Sequence, residues 1–189
     1  MLNRALIDHC APTLAGLKTG SIFTIRNEEK EDIRNELREL NHSFTRKGLR
    51  IVPIRRTEKN TLIYVFRPEQ LRNDLKNKEA ARILSKKGYH YDNSECCLVQ
   101  LVKHLTTDTE FPHEIGLFLG YPPSDVRCFM KNPSKGVKCT GCWKAFSHKQ
   151  DAEKTFAKYD KCTRVYRLEA DKGRSLDQLT VDTNTRKLR

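Results

Sequence analysis

Thirteen residues, Phe111 to Pro123 (FPHEIGLFLGYPP), restrict the available folds more than any other stretch of the chain. Prolines at 112, 122 and 123 remove backbone donors and fix φ. Glycines at 116 and 120 sit among Ile115, Leu117, Phe118 and Leu119. No long helix or strand can run through such a block. It reads as a packed corner, with one short helix ending at Gly120, that aims His113 and Glu114 in a defined direction.

The elements around this corner follow from periodicity. Residues 2–9 read as a helix with Leu2, Leu6 and Ile7 on one side, which Pro12 should end because proline bars its predecessor from helical geometry. Ser21 to Arg26 reads as a strand. Ile33, Leu37, Leu40 and Phe44 recur at spacings of four, three and four, one helical stripe. Glu28, Glu29, Glu31 and Asp32 before it and Arg46 and Lys47 at its end complement the helix dipole. Asn27 is the expected N-cap and Gly48 the expected stop. Leu49 to Ile54 and Thr61 to Phe66 form an expected antiparallel hairpin. Leu62 to Phe66 (LIYVF) is apolar at every position, which suits a central strand covered on both faces.

Helices are expected from Pro68, through Ala80 to Leu84, from Cys96 to Leu105, and from Ser124. Val137 to Ser147 reads as a last strand interrupted at Gly141. Asp151 to Leu168 reads as a long helix with Ala152, Phe156, Tyr159, Cys162 and Tyr166 on one face, and Ser175 to Leu179 adds a turn. The order predicts a single α+β domain over 1–181: a small mixed or antiparallel sheet of about four strands covered by several helices, with a polar, frayed tail over 182–189.

A chain of 189 residues can bury roughly 70% of its unfolded surface without covalent staples. No apolar run approaches the ~20 residues of a membrane span, and the N-terminal residues lack the pattern of a secretory signal. The seven cysteines, odd in number and irregular in spacing, fit thiols kept reduced in the cytosol rather than a disulfide framework. Of the formal net charge of +12, +8 lies in residues 131–189. Lys154, Lys158, Lys161 and Arg164 fall away from the apolar stripe of the long helix, so a nucleic acid or an acidic protein is the partner class this surface suits.

Several residues carry candidate chemistry. Cys139 and Cys142 form a C-x-x-C whose sulfurs can converge on one metal, zinc or iron, or form a redox pair. His148 and Cys162, or Cys10, Cys97 and Cys128, are the available further ligands, and spacing selects none of them. Packing accounts for Cys162 equally well, since it falls on an apolar stripe. His9 and Cys10 are neighbours before Pro12; they can form an activated thiol if the side chains meet, or His9 can satisfy carbonyls at a helix C-terminus. His113 and Glu114 can act as acid and base or as ligands, or can simply open a helix. Trp143 and Lys144, with Lys138 and Lys149, offer a stacking surface and cations for a nucleotide. No H-E-x-x-H, Walker loop, G-x-G-x-x-G or G-x-S-x-G is present.

Four stretches together resemble an uncharacterised bacterial family known only as a domain of unknown function: His9 to Lys18 (HCAPTLAGLK), Phe111 to Pro123, Gly141 to Lys144 (GCWK) and Lys161 to Tyr166 (KCTRVY). The resemblance implies one family unit over nearly the whole chain. It implies no activity, cofactor or catalytic residue.

The residues therefore lead to three expectations. The first is a cytosolic accessory protein with a thiol- or metal-bearing pocket built from Cys10, Cys142 and Cys162 beside His113. The second is a binding module that uses the basic C-terminal surface. The third is a small-molecule enzyme using His113, Glu114 and Lys144.

Overall fold

A computed structural model describes residues 2–27, 33–90, 93–108 and 110–184. In chain order the elements are α1 (Leu2–Leu14), β1 (Gly20–Arg26), α2 (Ile33–Arg46), β2 (Arg50–Arg56), β3 (Asn60–Phe66), α3 (Pro68–Leu75) and α4 (Lys78–Lys86). They continue with α5 (Ser94–Thr107), α6 (Ile115–Phe118), α7 (Pro123–Lys131), β4 (Cys139–Thr140), β5 (Lys144–Ala145), α8 (Lys149–Asp171) and α9 (Leu176–Leu179). The class is α+β, as the periodicity indicated. Two compact units form, one from Met1–Glu69 with Lys161–Arg189 and one from Gln70–Asp160. No described helix is long and apolar enough to cross a membrane.

The first unit is built on an antiparallel sheet of order β1-β3-β2. The all-apolar strand is the central one. Its Ile63 and Val65 join a core of Leu6, Cys10 and Leu14 from α1, Leu37 and Phe44 from α2, and Leu176 and Leu179 from α9. Tyr64 and Phe66 alternate to the opposite face, stack at 4.6 Å between ring centroids, and are buried as well. Each such side chain contributes about 1.5–3 kcal/mol by leaving water. The register of β2 slips between Pro53 and Arg55, a bulge at a residue that cannot donate to the ladder.

Pro12 does not end α1; the helix runs on to Leu14. Residues Cys10 to Leu14 are all buried, and that packing outweighs the proline's missing donor one turn from the end. The stop is Gly16, at φ 73°, where Gly16 N–H donates to Thr13 O at 3.1 Å and Leu17 N–H to Pro12 O at 2.8 Å. Only a residue without Cβ adopts that left-handed turn readily. His9 consequently lies inside the helix rather than at its end, exposed and stacked on Phe23 at 5.7 Å. The acidic run Glu28, Glu29, Glu31 and Asp32 lies outside the described residues, and the described part of α2 begins at Ile33.

Arg67, just past β3, is 1% exposed. Its guanidinium donates to the carbonyls of Thr13 at 3.0 Å, Leu14 at 2.6 Å, Lys47 at 2.7 Å and Val181 at 2.9 Å, and to the Thr183 hydroxyl at 3.2 Å. The end of α1, the end of α2 and the segment after α9 are thus bonded to one side chain. Val181 N–H also donates to Leu14 O, and the Asn184 amide to Arg46 O. Residues 182–184, the start of the polar tail, are held in this way.

The described elements of the second unit are helices apart from one hairpin. Val137 to Ser147 is not a fourth strand of the sheet. It folds back on itself, with Cys139 opposite Ala145 and Thr140 opposite Lys144. The bend comes at Gly141, whose N–H bonds Trp143 O at 3.0 Å. Ala145, Ala152 and Phe156 form a small cluster beneath the hairpin, with Cys139 and Trp143 packed on it. The Phe111–Pro123 block forms the expected corner: α6, a turn at Gly120, then α7 opening at Pro123.

Candidate functional site

The second unit contains a cavity of about 270 Å³. One wall comes from the proline-glycine corner and α7, which supply His113, Tyr121 and Phe129. The other comes from the turn of the β4–β5 hairpin, which supplies Gly141, Cys142, Trp143 and Lys144. The corner explains why α6 can lie so near α7: a Cβ at Gly116 would stand 2.9 Å from Val126.

Asp125 joins the two walls. It is 3% exposed, and its carboxylate accepts four hydrogen bonds. Oδ1 takes the N–H groups of Phe146 at 3.0 Å and Ser147 at 3.1 Å and the Ser147 hydroxyl at 3.0 Å; Oδ2 takes Trp143 Nε1–H at 2.9 Å. A carboxylate with its lone pairs so filled tolerates burial. Trp143 is thereby fixed with one face stacked on Tyr121 at 5.1 Å and its edge against Phe156 at 4.5 Å. His113 meets Phe129 edge-on at 5.1 Å. Lys144 Nζ donates to Pro133 O at 2.9 Å and stands 5.8 Å from the Phe129 ring centre. Burial, and after it the neighbouring Cys142, push the Tyr121 hydroxyl above its ordinary range and that of Tyr159 to about 12. Both phenols stay neutral hydrogen-bonding groups at neutral pH.

Gly141 sets how near the hairpin comes to α8. A Cβ there would lie 2.4 Å from the Phe156 ring, a distance no packed pair sustains. Gly141→Ala should therefore cost about 1–3 kcal/mol. Urea unfolding followed by fluorescence of Trp143, the single tryptophan, reads the loss; an unchanged midpoint would mean that the ring has room to yield.

Of the residues singled out in the sequence, the cavity brings together Cys142, His113 and Lys144. Glu114 is not among its walls. It is 1% exposed, does not cap α6, and accepts the Tyr89 hydroxyl at 3.1 Å on Oε1, with His104 Nδ1 at 3.5 Å. Its Oε2 is buried with no hydrogen-bond partner among the described residues. Burial first, and Glu114 second, push the Tyr89 hydroxyl up. Cys139 faces the cluster under the hairpin. Cys10 lies fully buried in the core of the first unit, where burial drives its thiol far above the usual range. Cys162 is buried on α8. Among the described residues no group of three or more His, Cys, Asp or Glu side chains is placed to hold a metal ion. Lys154, Lys158, Lys161 and Arg164 are exposed along α8.

Sequence reasoning passed over Tyr121, Phe129 and Asp125. Tyr121 falls inside the proline-glycine block, and Asp125 and Phe129 fall within the helix expected from Ser124. Nothing local announces that a carboxylate at 125 will bond residues 18 to 22 positions onward.

As chemistry, the cavity combines aromatic stacking surfaces with an imidazole, an ammonium group and an exposed thiol. No curated protein and no solved structure matches the chain. A family model described as a protein of unknown function, DUF3793, matches residues 6–180. That match takes in both sides of the cavity and the sheet alike, and the chain belongs to the DUF3793 family.

Proposed function

We propose that the protein binds a small, flat, largely apolar molecule in the cavity of its second unit and holds it beside the Cys142 thiol. One observation carries this reading. Aromatic rings, a thiol, an imidazole and an ammonium group from two separate segments line one cavity of about 270 Å³. Ligand sites typically have this make-up, apolar walls with a few placed polar groups, and the volume suits a molecule of fragment size. Tyr121 and Trp143 supply stacking surface, and Lys144 and His113 complement a polar or acidic edge. Cys142 is an exposed thiol that lines the cavity two residues before Lys144, so solvent and ligand can both reach its sulfur. The thiol form of the reading is better supported than a metal form, because no set of three ligands assembles among the described residues. Seven cysteines carried as thiols fit a reducing cytosolic setting.

Limited iodoacetamide treatment followed by peptide mass spectrometry tests the thiol. Cys142 should react at least tenfold faster than the buried Cys10, Cys97 and Cys162. A panel of small aromatic acids should then quench Trp143 and slow Cys142 alkylation in parallel. Alkylation of Cys142 no faster than of Cys10, or a panel that perturbs neither signal, would reject the reading.

A further inference from the structure

The second unit carries another concavity, chemically unlike the first. Five of the eight described side chains that line it are cationic: Lys78, Arg82, Lys86, Lys87 and Arg127. Glu79 is the one carboxylate among the described lining residues, and it pairs with Arg127 at 3.1 Å. Lys78, Arg82, Lys86 and Lys87 make no ion pair with a described carboxylate. Ile83 and Met130 are the apolar members of the lining. The cleft, of about 720 Å³, lies between α4 and α7.

We propose that this cleft binds the phosphate backbone of single-stranded nucleic acid without regard to sequence. Lys78, Arg82 and Lys86 recur every four residues on one side of α4, so their stems are about 6 Å apart along the axis. An even row of cations matches a polymer with one fixed charge per repeat better than the irregular carboxylates of a folded protein. Arg127 of α7 is paired with Glu79, so the net positive charge of the cleft comes from Lys78, Arg82, Lys86 and Lys87. A duplex presents its phosphates on a convex surface too broad for a cleft of this volume. No aromatic ring lines it among the described residues, so the bases gain no stacking platform there and the contact reads backbone alone. The inference does not depend on the thiol cavity, which lies among other residues.

Fluorescence anisotropy with the full chain, a labelled 20-nucleotide oligo(dT) and a labelled 20-base-pair duplex tests it. The single strand should bind at 50 mM salt, more tightly than the duplex, and weaken steeply as salt rises. The pair Arg82→Glu with Lys86→Glu, both exposed, should weaken binding at least tenfold. It should also flatten the log–log salt dependence by about 1.4, two lost contacts at about 0.7 each. The milder pair Arg82→Gln with Lys86→Gln should fall between, and circular dichroism with Trp143 emission checks that both variants are folded. Lys154→Glu with Lys158→Glu on α8 should leave affinity within twofold. Absence of binding, preference for the duplex, tighter binding of labelled polyglutamate than of the oligonucleotide, or loss only in the α8 variant would each overturn the proposal.

Discussion

Arg67→Met should destabilise the first unit by about 3–5 kcal/mol, the scale seen when a buried, fully bonded charged group is removed. Methionine fills much of the volume but offers no donor. The guanidinium now answers four carbonyls and a hydroxyl from three separate parts of the chain. Acceptors left short of donors in a buried site cost about 1–3 kcal/mol each, less where a second donor persists. Leu14 O keeps Val181 N–H and Lys47 O keeps Thr183 N–H, so the total stays well under the sum of single penalties. Arg67→Lys should recover less than half of the loss, because an ammonium group cannot copy the planar fork. Urea unfolding by circular dichroism gives the magnitude, and hydrogen exchange locates it. Val181 and Thr183 amides should lose protection first in the methionine variant. A lysine variant as stable as the parent would show that positive charge suffices and the fork geometry does not matter.

Asp125→Ala should cost about 3 kcal/mol or more and open the aromatic cavity. The change strands two backbone N–H groups, a hydroxyl and an indole N–H at once, and buried donors without acceptors carry a desolvation penalty. The hairpin should lift from α7, and Trp143 should become more solvated. Because Trp143 is the only tryptophan, its emission should shift to the red in native buffer, and its urea midpoint should fall. Asp125→Asn keeps one acceptor but turns an NH₂ toward groups that are themselves donors, so it should lie between parent and alanine variant. Cys142 alkylation should lose its advantage over the other cysteines in the alanine variant. Emission and midpoint both unmoved by Asp125→Ala would mean that the hairpin is held by its apolar underside alone.

The LIYVF run identified the central strand, because a strand apolar on both faces has no stable place at an edge. The stripe of Ile33, Leu37, Leu40 and Phe44 identified α2, although its acidic approach lies outside the described residues. Pro12 misled, because a local rule about backbone geometry lost to the burial of five consecutive residues around it. The Val137–Ser147 stretch misled for a different reason. Its residues suit an extended backbone and it does break at Gly141, but its two arms pair with each other, and Asp125 on α7 holds the second arm.

The candidate site divides along the same line. Cys142, Trp143 and Lys144 were legible as a dense chemical cluster, and His113 as part of a constrained corner. That His113 and Glu114 part company was not legible, since adjacent side chains leave a short helix in different directions and only packing says what each direction meets. What the residue order determined by itself was the inventory of helices and strands and the rigidity of the proline-glycine corner, because these depend on φ, ψ and apolar spacing within a few positions. What only the tertiary structure decided was which polar groups are buried together. Arg67 and Asp125 each satisfy partners far along the chain, and a hydrogen bond at 3 Å is set by where segments meet in space and not by their separation in sequence.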